Sequence, residues 1–194
     1  MTVSAAGHSV GSCHFQSTRL ESVFTQCFAV TEQTQLVGGA SEPLYQPASE
    51  PGKPHVLYYR DDYFASALHE VAHWCIAGSG RRLQVDFGYW YEPDGRSDTQ
   101  QREFEAVEYR PQALEWFFAK ACNFPFGVSV DNLDVWDGKL PDTSDFRRRV
   151  VEQSRHWSQV GLPLRAHQFY SGLCREFGTR VKPTALVFHW SELD

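Results

Sequence analysis

Apolar residues recur at helical spacing through most of this chain. The clearest case is the segment 63–77, in which Phe64, Leu68 and Val71 share one face of a helix. Comparable spacing predicts helices over 17–31, 98–108, 111–122, 146–160 and 165–177. The two segments that meet near Pro111 stay open as two helices or as one helix kinked at that proline.

Strand patterns are fewer and shorter. Aromatic and β-branched residues predict strands over 55–60 and 83–91, and the segment 124–130 is expected to be extended. The stretch 38–54 is rich in proline and glycine and predicts a long loop. The pattern therefore predicts an α+β fold, a single helix-rich domain with a small sheet. Small polar residues predict a flexible leader over 1–16, followed by one metal-binding catalytic domain over 17–194.

Composition narrows the classes of function. The chain has 18 Lys and Arg against 24 Asp and Glu, a formal charge of −6, so no nucleic-acid partner is expected. A negatively charged protein tolerates a cationic substrate well. No window approaches the roughly 18 apolar residues of a membrane helix, and the N-terminus does not resemble a secretory signal. These two absences lead us to expect a cytoplasmic protein without membrane partners. The five cysteines are widely spaced and form no CxxC pair, which favours a reduced protein over a disulfide framework.

The segment His69-Glu70-Val71-Ala72-His73 carries the main chemical signal. Residues four apart lie on one face of a helix, so both imidazoles can bind one metal ion. The alternative is a pair of half-buried core histidines, but the apolar face of this helix lies elsewhere, which favours the metal. We predict His69 and His73 as metal ligands, and Glu70 as a catalytic residue that can reach a metal-bound water.

A third ligand is needed, because catalytic metal sites normally have three protein ligands and an open position. Residues 74–78 read WCIAG and offer no further histidine on this helix. The run 104–108 places two carboxylates three residues apart on one helix face. We predict Glu108 as the third ligand, with Glu105 as its supporting partner or its replacement. For either residue alone, the alternative is an exposed helix position.

The ligand types leave the metal open. Two histidines and one carboxylate suit zinc in a hydrolase, where Glu70 would be the general base for metal-bound water. The same set suits non-haem Fe(II) in an oxygenase that activates O2. A binding module with a structural zinc is a third alternative. Such sites are closed and usually rich in cysteine, and only Cys75 lies near the motif, which argues against it.

The sequence around the motif resembles the bacterial elongation factor P hydroxylase family. The similarity is dense from 61 to 133 and looser elsewhere. It is carried by HEVAHWCIAG at 69–78, VDFGYWY at 85–91, PDGR at 93–96, FEAVE at 104–108, PQALEW at 111–116, PF at 125–126 and DNL at 131–133. The resemblance implies hydroxylation of the elongation factor P lysine that carries a β-lysyl group. It also implies a metal held by two histidines and one carboxylate.

Carried onto this chain, the resemblance implies that His69, His73 and Glu108 hold the metal. Glu70 keeps its place in the motif but need not act as a peptidase base. The favoured expectation is thus an Fe(II)-dependent, O2-using protein-lysine hydroxylase on a zincin-like metal-binding helix. The alternative, a zinc-dependent hydrolase or peptidase, stays open at this stage.

The implied substrate carries ammonium groups, and a cation entering a partly dry pocket needs partners. We predict Asp86, Asp94 and Asp131 as substrate contacts. The alternative, that each caps a turn, is equally compatible with the sequence.

Overall fold

The computed structural model describes residues 14–88, 97–129 and 143–193. Within these ranges the chain forms five α-helices and one three-stranded sheet, which confirms the predicted α+β class. The helices are α1 (Ser17–Phe28), α2 (Phe64–Ile76), α3 (Asp98–Cys122), α4 (Ser144–Val160) and α5 (Leu164–Phe177). The strands are β1 (Thr34–Ala40), β2 (Leu44–Gln46) and β3 (His55–Arg60).

The sheet has the order β1-β3-β2, with β3 in the centre. β3 pairs in parallel with β1 and antiparallel with β2, so that Leu57 lies opposite Leu36 on one side and Tyr45 on the other. All three side chains are buried. The strand at 55–60 was predicted, whereas β1 was not and β2 lies inside the predicted loop 38–54. β2 has only three residues and lies between two prolines, so its own sequence does not favour a strand. It is stabilised by pairing with β3, which the local sequence does not reveal.

α2 lies at the centre of the fold and packs against α1, α3, α5 and β3. Its apolar face is fully buried, and Trp74 contacts the rings of Phe24 and Phe28 at centroid distances of 5.1 and 4.7 Å. Aromatic contacts of this kind add to the hydrophobic stabilisation. The orientation of α2 is therefore fixed by its apolar side, and its polar side turns towards α3.

α3 is one continuous helix of 25 residues. It begins with a capping box, in which the Ser97 side chain accepts from the Gln100 amide and the Gln100 side chain accepts from the Ser97 amide. It passes through Pro111 and ends at Asn123, which adopts the left-handed conformation with φ 53°. Of the two alternatives at Pro111, the structure has the single helix.

The strand predicted over 83–91 is wrong for the part that is described. The chain forms two short 3-10 turns instead, Arg81–Leu83 and Val85–Gly88. Asp86 and Phe87 both have positive φ, 47° and 58°, which a strand cannot contain. Contacts with β2 hold this conformation, because the Phe87 ring stacks on Tyr45 at 4.5 Å and an Asp86 oxygen accepts from the Tyr45 amide at 2.7 Å.

The helices and cysteines of the structure bear on the expected absence of a membrane helix and on the expected reduced state. No helix in the described part of the chain has the length and apolarity needed to span a bilayer. The cysteines of that part, Cys27, Cys75, Cys122 and Cys174, are all free thiols.

The C-terminal end of α2 is held by an arginine from α5. Nη2 of Arg165 donates to the carbonyl oxygens of Trp74, Cys75 and Ala77, at 3.0, 3.1 and 2.5 Å. Its guanidinium also lies 4.7 Å from the centre of the Trp74 ring. A cation at this end of a helix satisfies the last carbonyls and offsets the negative end of the helix dipole.

Arg165→Ala should therefore lower the free energy of unfolding by about 1–3 kcal/mol, since it leaves half-buried carbonyl groups without a donor. Urea unfolding followed by circular dichroism measures this. Arg148→Ala is the matched control, because the ion pairs that Arg148 forms along α4 are exposed and their loss should have little effect. Equal stability of the two variants would contradict the role given to Arg165.

Candidate metal centre

The polar side of α2 meets α3 at a cluster of three side chains. Nε2 of His69 and Nε2 of His73 lie 3.1 Å apart. The carboxylate of Glu108, from α3, places one oxygen 3.4 Å from Nε2 of His69 and the other 3.2 Å from Nε2 of His73. These three residues form the group that could hold a metal ion among the residues described, with ligand atoms all within 4.8 Å of one another.

The spacing of these atoms fits one metal ion. Ligand atoms about 2.1 Å from a common ion lie about 3.0 Å apart in octahedral and about 3.4 Å apart in tetrahedral geometry. The separations in the cluster, 3.1 to 3.4 Å, fall in that range. Two imidazoles and one carboxylate that are mutually adjacent leave the opposite side of an ion open, as a catalytic centre requires.

The electrostatics of Glu108 also favour a cation. Its side chain is almost completely buried, at 2% exposure. Burial by itself would raise the pKa of Glu108, but the imidazoles of His73 and His69 outweigh burial and hold that pKa well below its usual range. A buried ionised carboxylate needs a positive partner. A protonated histidine or a metal ion supplies that charge.

His69 lies between two carboxylates of α3. Its Nε2 faces Glu108, and its Nδ1 is 2.8 Å from an oxygen of Glu115. Burial by itself would lower the pKa of His69, but the hydrogen bonds with Glu108 and Glu115 raise it well above its usual value. Without a metal, the two carboxylates therefore favour the protonated form of this imidazole.

Sequence reasoning missed Glu115. It follows Glu108 by seven residues, two helical turns, so both lie on the same face of α3. The predicted supporting carboxylate, Glu105, lies outside the cluster and accepts from the side chain of Gln101 at 3.1 Å. The spacing of seven was a usable signal, but Pro111 between the two glutamates left open whether one helix carried both.

Glu70 sits next to the ligand pair on α2 and is half-buried. Burial raises its pKa, the two histidines lower it, and the nearby carboxylates of Glu108 and Asp86 raise it further. No hydrogen bond to its carboxylate is formed within the part of the chain described. The Glu70 carboxylate therefore lies beside the cluster and is not held by a hydrogen bond from the described residues.

Of the three predicted substrate contacts, only Asp86 falls in the described ranges, and Asp94 and Asp131 lie outside them. Asp86 is half-buried, and its Oδ1 accepts from the Tyr45 amide at 2.7 Å. This is the turn-stabilising role that the sequence left as an alternative. The same carboxylate is close enough to Glu70 to affect its pKa, so Asp86 also contributes negative charge near the cluster.

A cavity of about 720 Å³ lies beside His73, between the end of α2 and the middle of α3. Its walls include Ile76 and Gly78 on one side and Val107 and Pro111 on the other, with Arg81 and Arg110 also lining it. Of the three cluster residues, His73 contributes to the walls of this cavity.

Two comparisons with known proteins identify the family of this chain. The sequence model of the family described as elongation factor P hydroxylase matches residues 23–187. The chain is also 45% identical over 157 residues to the elongation factor P lysine hydroxylase of Haemophilus influenzae, an alignment that covers 81% of this chain and 86% of that protein. Both matches extend well beyond the densely similar region 61–133 and confirm the resemblance. The chain belongs to the elongation factor P hydroxylase family.

Proposed function

We propose that this protein hydroxylates a lysine side chain of elongation factor P at a metal ion held by His69, His73 and Glu108. The observation that carries the proposal is the convergence of these three side chains, at 3.1 to 3.4 Å, in a member of a hydroxylase family. The 45% identical relative is named as a lysine hydroxylase acting on elongation factor P, which supports the same substrate here.

Fe(II) is the metal we propose, with O2 as co-substrate. When bound, iron would supply the activation of O2 that zinc, which has no redox chemistry, cannot supply. Insertion of one oxygen atom into a C–H bond leaves the second oxygen as water and consumes two electrons and two protons from a reductant. Zinc could still occupy the same three ligands when iron is scarce.

The protein's own residues hold and orient the reactants. His69, His73 and Glu108 would hold the ion. The negative charge of the buried Glu108 carboxylate would offset the charge of the ion. The packing of α2 on its aromatic face keeps the two imidazoles in fixed positions, and such preorganisation favours reaction over loose encounter.

The proposed target is the lysine that carries a β-lysyl group. Its ammonium groups are natural handles for placing one methylene near the metal. Arg81 and Arg110 line the cavity beside His73, and their positive charge would repel ammonium groups. We therefore expect the ammonium groups of the substrate to lie away from this cavity, near the carboxylates of Glu70 and Asp86. Asp94 and Asp131 remain proposed contacts on the same chemical grounds.

The zinc hydrolase alternative is not favoured. It requires Glu70 as the base for metal-bound water, and the motif alone would permit it. The family and the named relative are both hydroxylases. A substrate that takes part in translation also makes the cytoplasm the proposed location.

The ligand assignment predicts the behaviour of single variants. His69→Ala, His73→Ala and Glu108→Ala should each lose metal and activity while the fold survives, because each removes one of only three donors. Metal content after anaerobic loading measures this, with circular dichroism as the check on folding. The exposed His167, on α5, supplies the control variant His167→Ala, which should bind metal normally. Full metal occupancy in any of the first three variants would refute its assignment as a ligand.

The raised pKa of His69 predicts a pH dependence of metal binding. The metal must displace the proton that Glu108 and Glu115 hold on this imidazole. Affinity should therefore fall as pH is lowered, and metal binding should release protons. Calorimetric titrations in buffers of different ionisation enthalpy measure that release. An affinity that does not vary between about pH 6 and about pH 8 would contradict it.

The proposed reaction is tested by mass spectrometry of elongation factor P. With Fe(II), O2 and a reductant, the peptide that bears the β-lysylated lysine should gain one oxygen atom, and zinc should give none. The unmodified factor should react much more slowly, because it lacks the second ammonium group for positioning. Cleavage of the peptide, or equal oxygen incorporation with zinc, would overturn the hydroxylase proposal in favour of other chemistry.

A further inference from the structure

Glu115 contacts the metal cluster from its outer side. Its carboxylate oxygen lies 2.8 Å from Nδ1 of His69, on the side of the ring that faces away from Glu108. The Glu115 side chain is only 13% exposed, so water competes weakly for this hydrogen bond. The imidazole of His69 thus has a carboxylate of α3 on each side, Glu108 at Nε2 and Glu115 at Nδ1.

The hydrogen bond determines which nitrogen of His69 carries a proton. An ionised carboxylate can only accept, so Nδ1 must be the donor. In a neutral imidazole the proton is then on Nδ1, and Nε2 keeps its lone pair for a metal. Nε2 is the atom that faces His73 and Glu108.

The two histidines differ in their exposure and in the hydrogen bonding of Nδ1. The His69 side chain is 26% exposed and that of His73 is 10% exposed. Within the described ranges, no group forms a hydrogen bond with Nδ1 of His73, whose ring is instead confined by its surroundings. The more exposed ligand is therefore the one that has a dedicated carboxylate behind it.

We propose that Glu115 is a positioning residue, which fixes the Nδ1–H tautomer and ring orientation of His69 so that Nε2 is directed at the metal. This rests on the metal centre of the proposed function and adds a residue to it. Partners behind a metal-binding histidine typically change metal affinity by about 10–100-fold when removed. Glu115 acts through His69 and does not itself contact the ion.

The chain offers a matched set of variants. Glu115→Ala removes the acceptor, and Glu115→Gln keeps an amide oxygen that can accept from Nδ1. Glu105→Ala is the control, because Glu105 is a half-buried glutamate of the same helix that bonds to Gln101 and not to the cluster. Zinc affinity of the full-length protein is measured by competition with a chromophoric chelator, which requires no hydroxylase activity.

The expected result is a zinc affinity reduced about 10–100-fold in Glu115→Ala, a smaller loss in Glu115→Gln and an unchanged value in Glu105→Ala. Rescue by glutamine separates positioning of the ring from a general loss of stability. Wild-type affinity in Glu115→Ala, or an equal loss in Glu105→Ala, would overturn the proposal.

A second measurement does not depend on how the variants fold. Long-range 1H–15N NMR of the zinc-loaded wild-type protein identifies the protonated nitrogen of each histidine. We expect His69 to be protonated at Nδ1 and bound to metal through Nε2. Metal on Nδ1 would overturn the role of Glu115 alone, whereas a wild-type protein that binds no zinc or iron would overturn the metal centre as a whole.

Discussion

The buried carboxylate of Glu108 sets the main physical constraint on this protein. Removing an ionised carboxylate from water is costly unless a positive charge or several donors compensate for it. The Glu108 side chain is 2% exposed and has the imidazoles of His69 and His73 directly opposite. The interface between α2 and α3 is therefore arranged around a position for positive charge. Without a metal, a proton on His69 can supply this positive charge. A divalent ion would supply it while binding His69, His73 and Glu108 together.

The rest of the fold keeps the three donors in place. α2 is fixed on one side by the aromatic contacts of Trp74 and at its C-terminal end by Arg165. α3 carries both Glu108 and Glu115, so their spacing along the interface is set by a single helix that begins at a capping box. Ligands on rigid, packed helices hold their geometry better than ligands on loops. The sheet packs against the ligand helix through β3 and completes this support.

The sequence predicted the parts of the site that depend on a single element. His69 and His73 follow from helical spacing alone. Glu108 was predicted because residues 74–78 offer no third histidine and the run 104–108 carries two carboxylates on one helix face. Glu115 was missed because Pro111 left open whether one helix carried both glutamates, and because its contact with His69 depends on how α3 crosses α2. The segment 83–88 was mispredicted for a similar reason. Its apolar and aromatic residues favour a strand, but contacts with Tyr45 stabilise two residues at positive φ.

We propose that one metal ion binds between α2 and α3 and is held by three side chains. Anomalous diffraction at the iron absorption edge, from crystals of anaerobically loaded protein, tests it most directly. We expect a single strong peak about 2.0–2.2 Å from Nε2 of His69, Nε2 of His73 and an oxygen of Glu108. A peak bound by other residues, or none at this position in iron-loaded crystals, would contradict it.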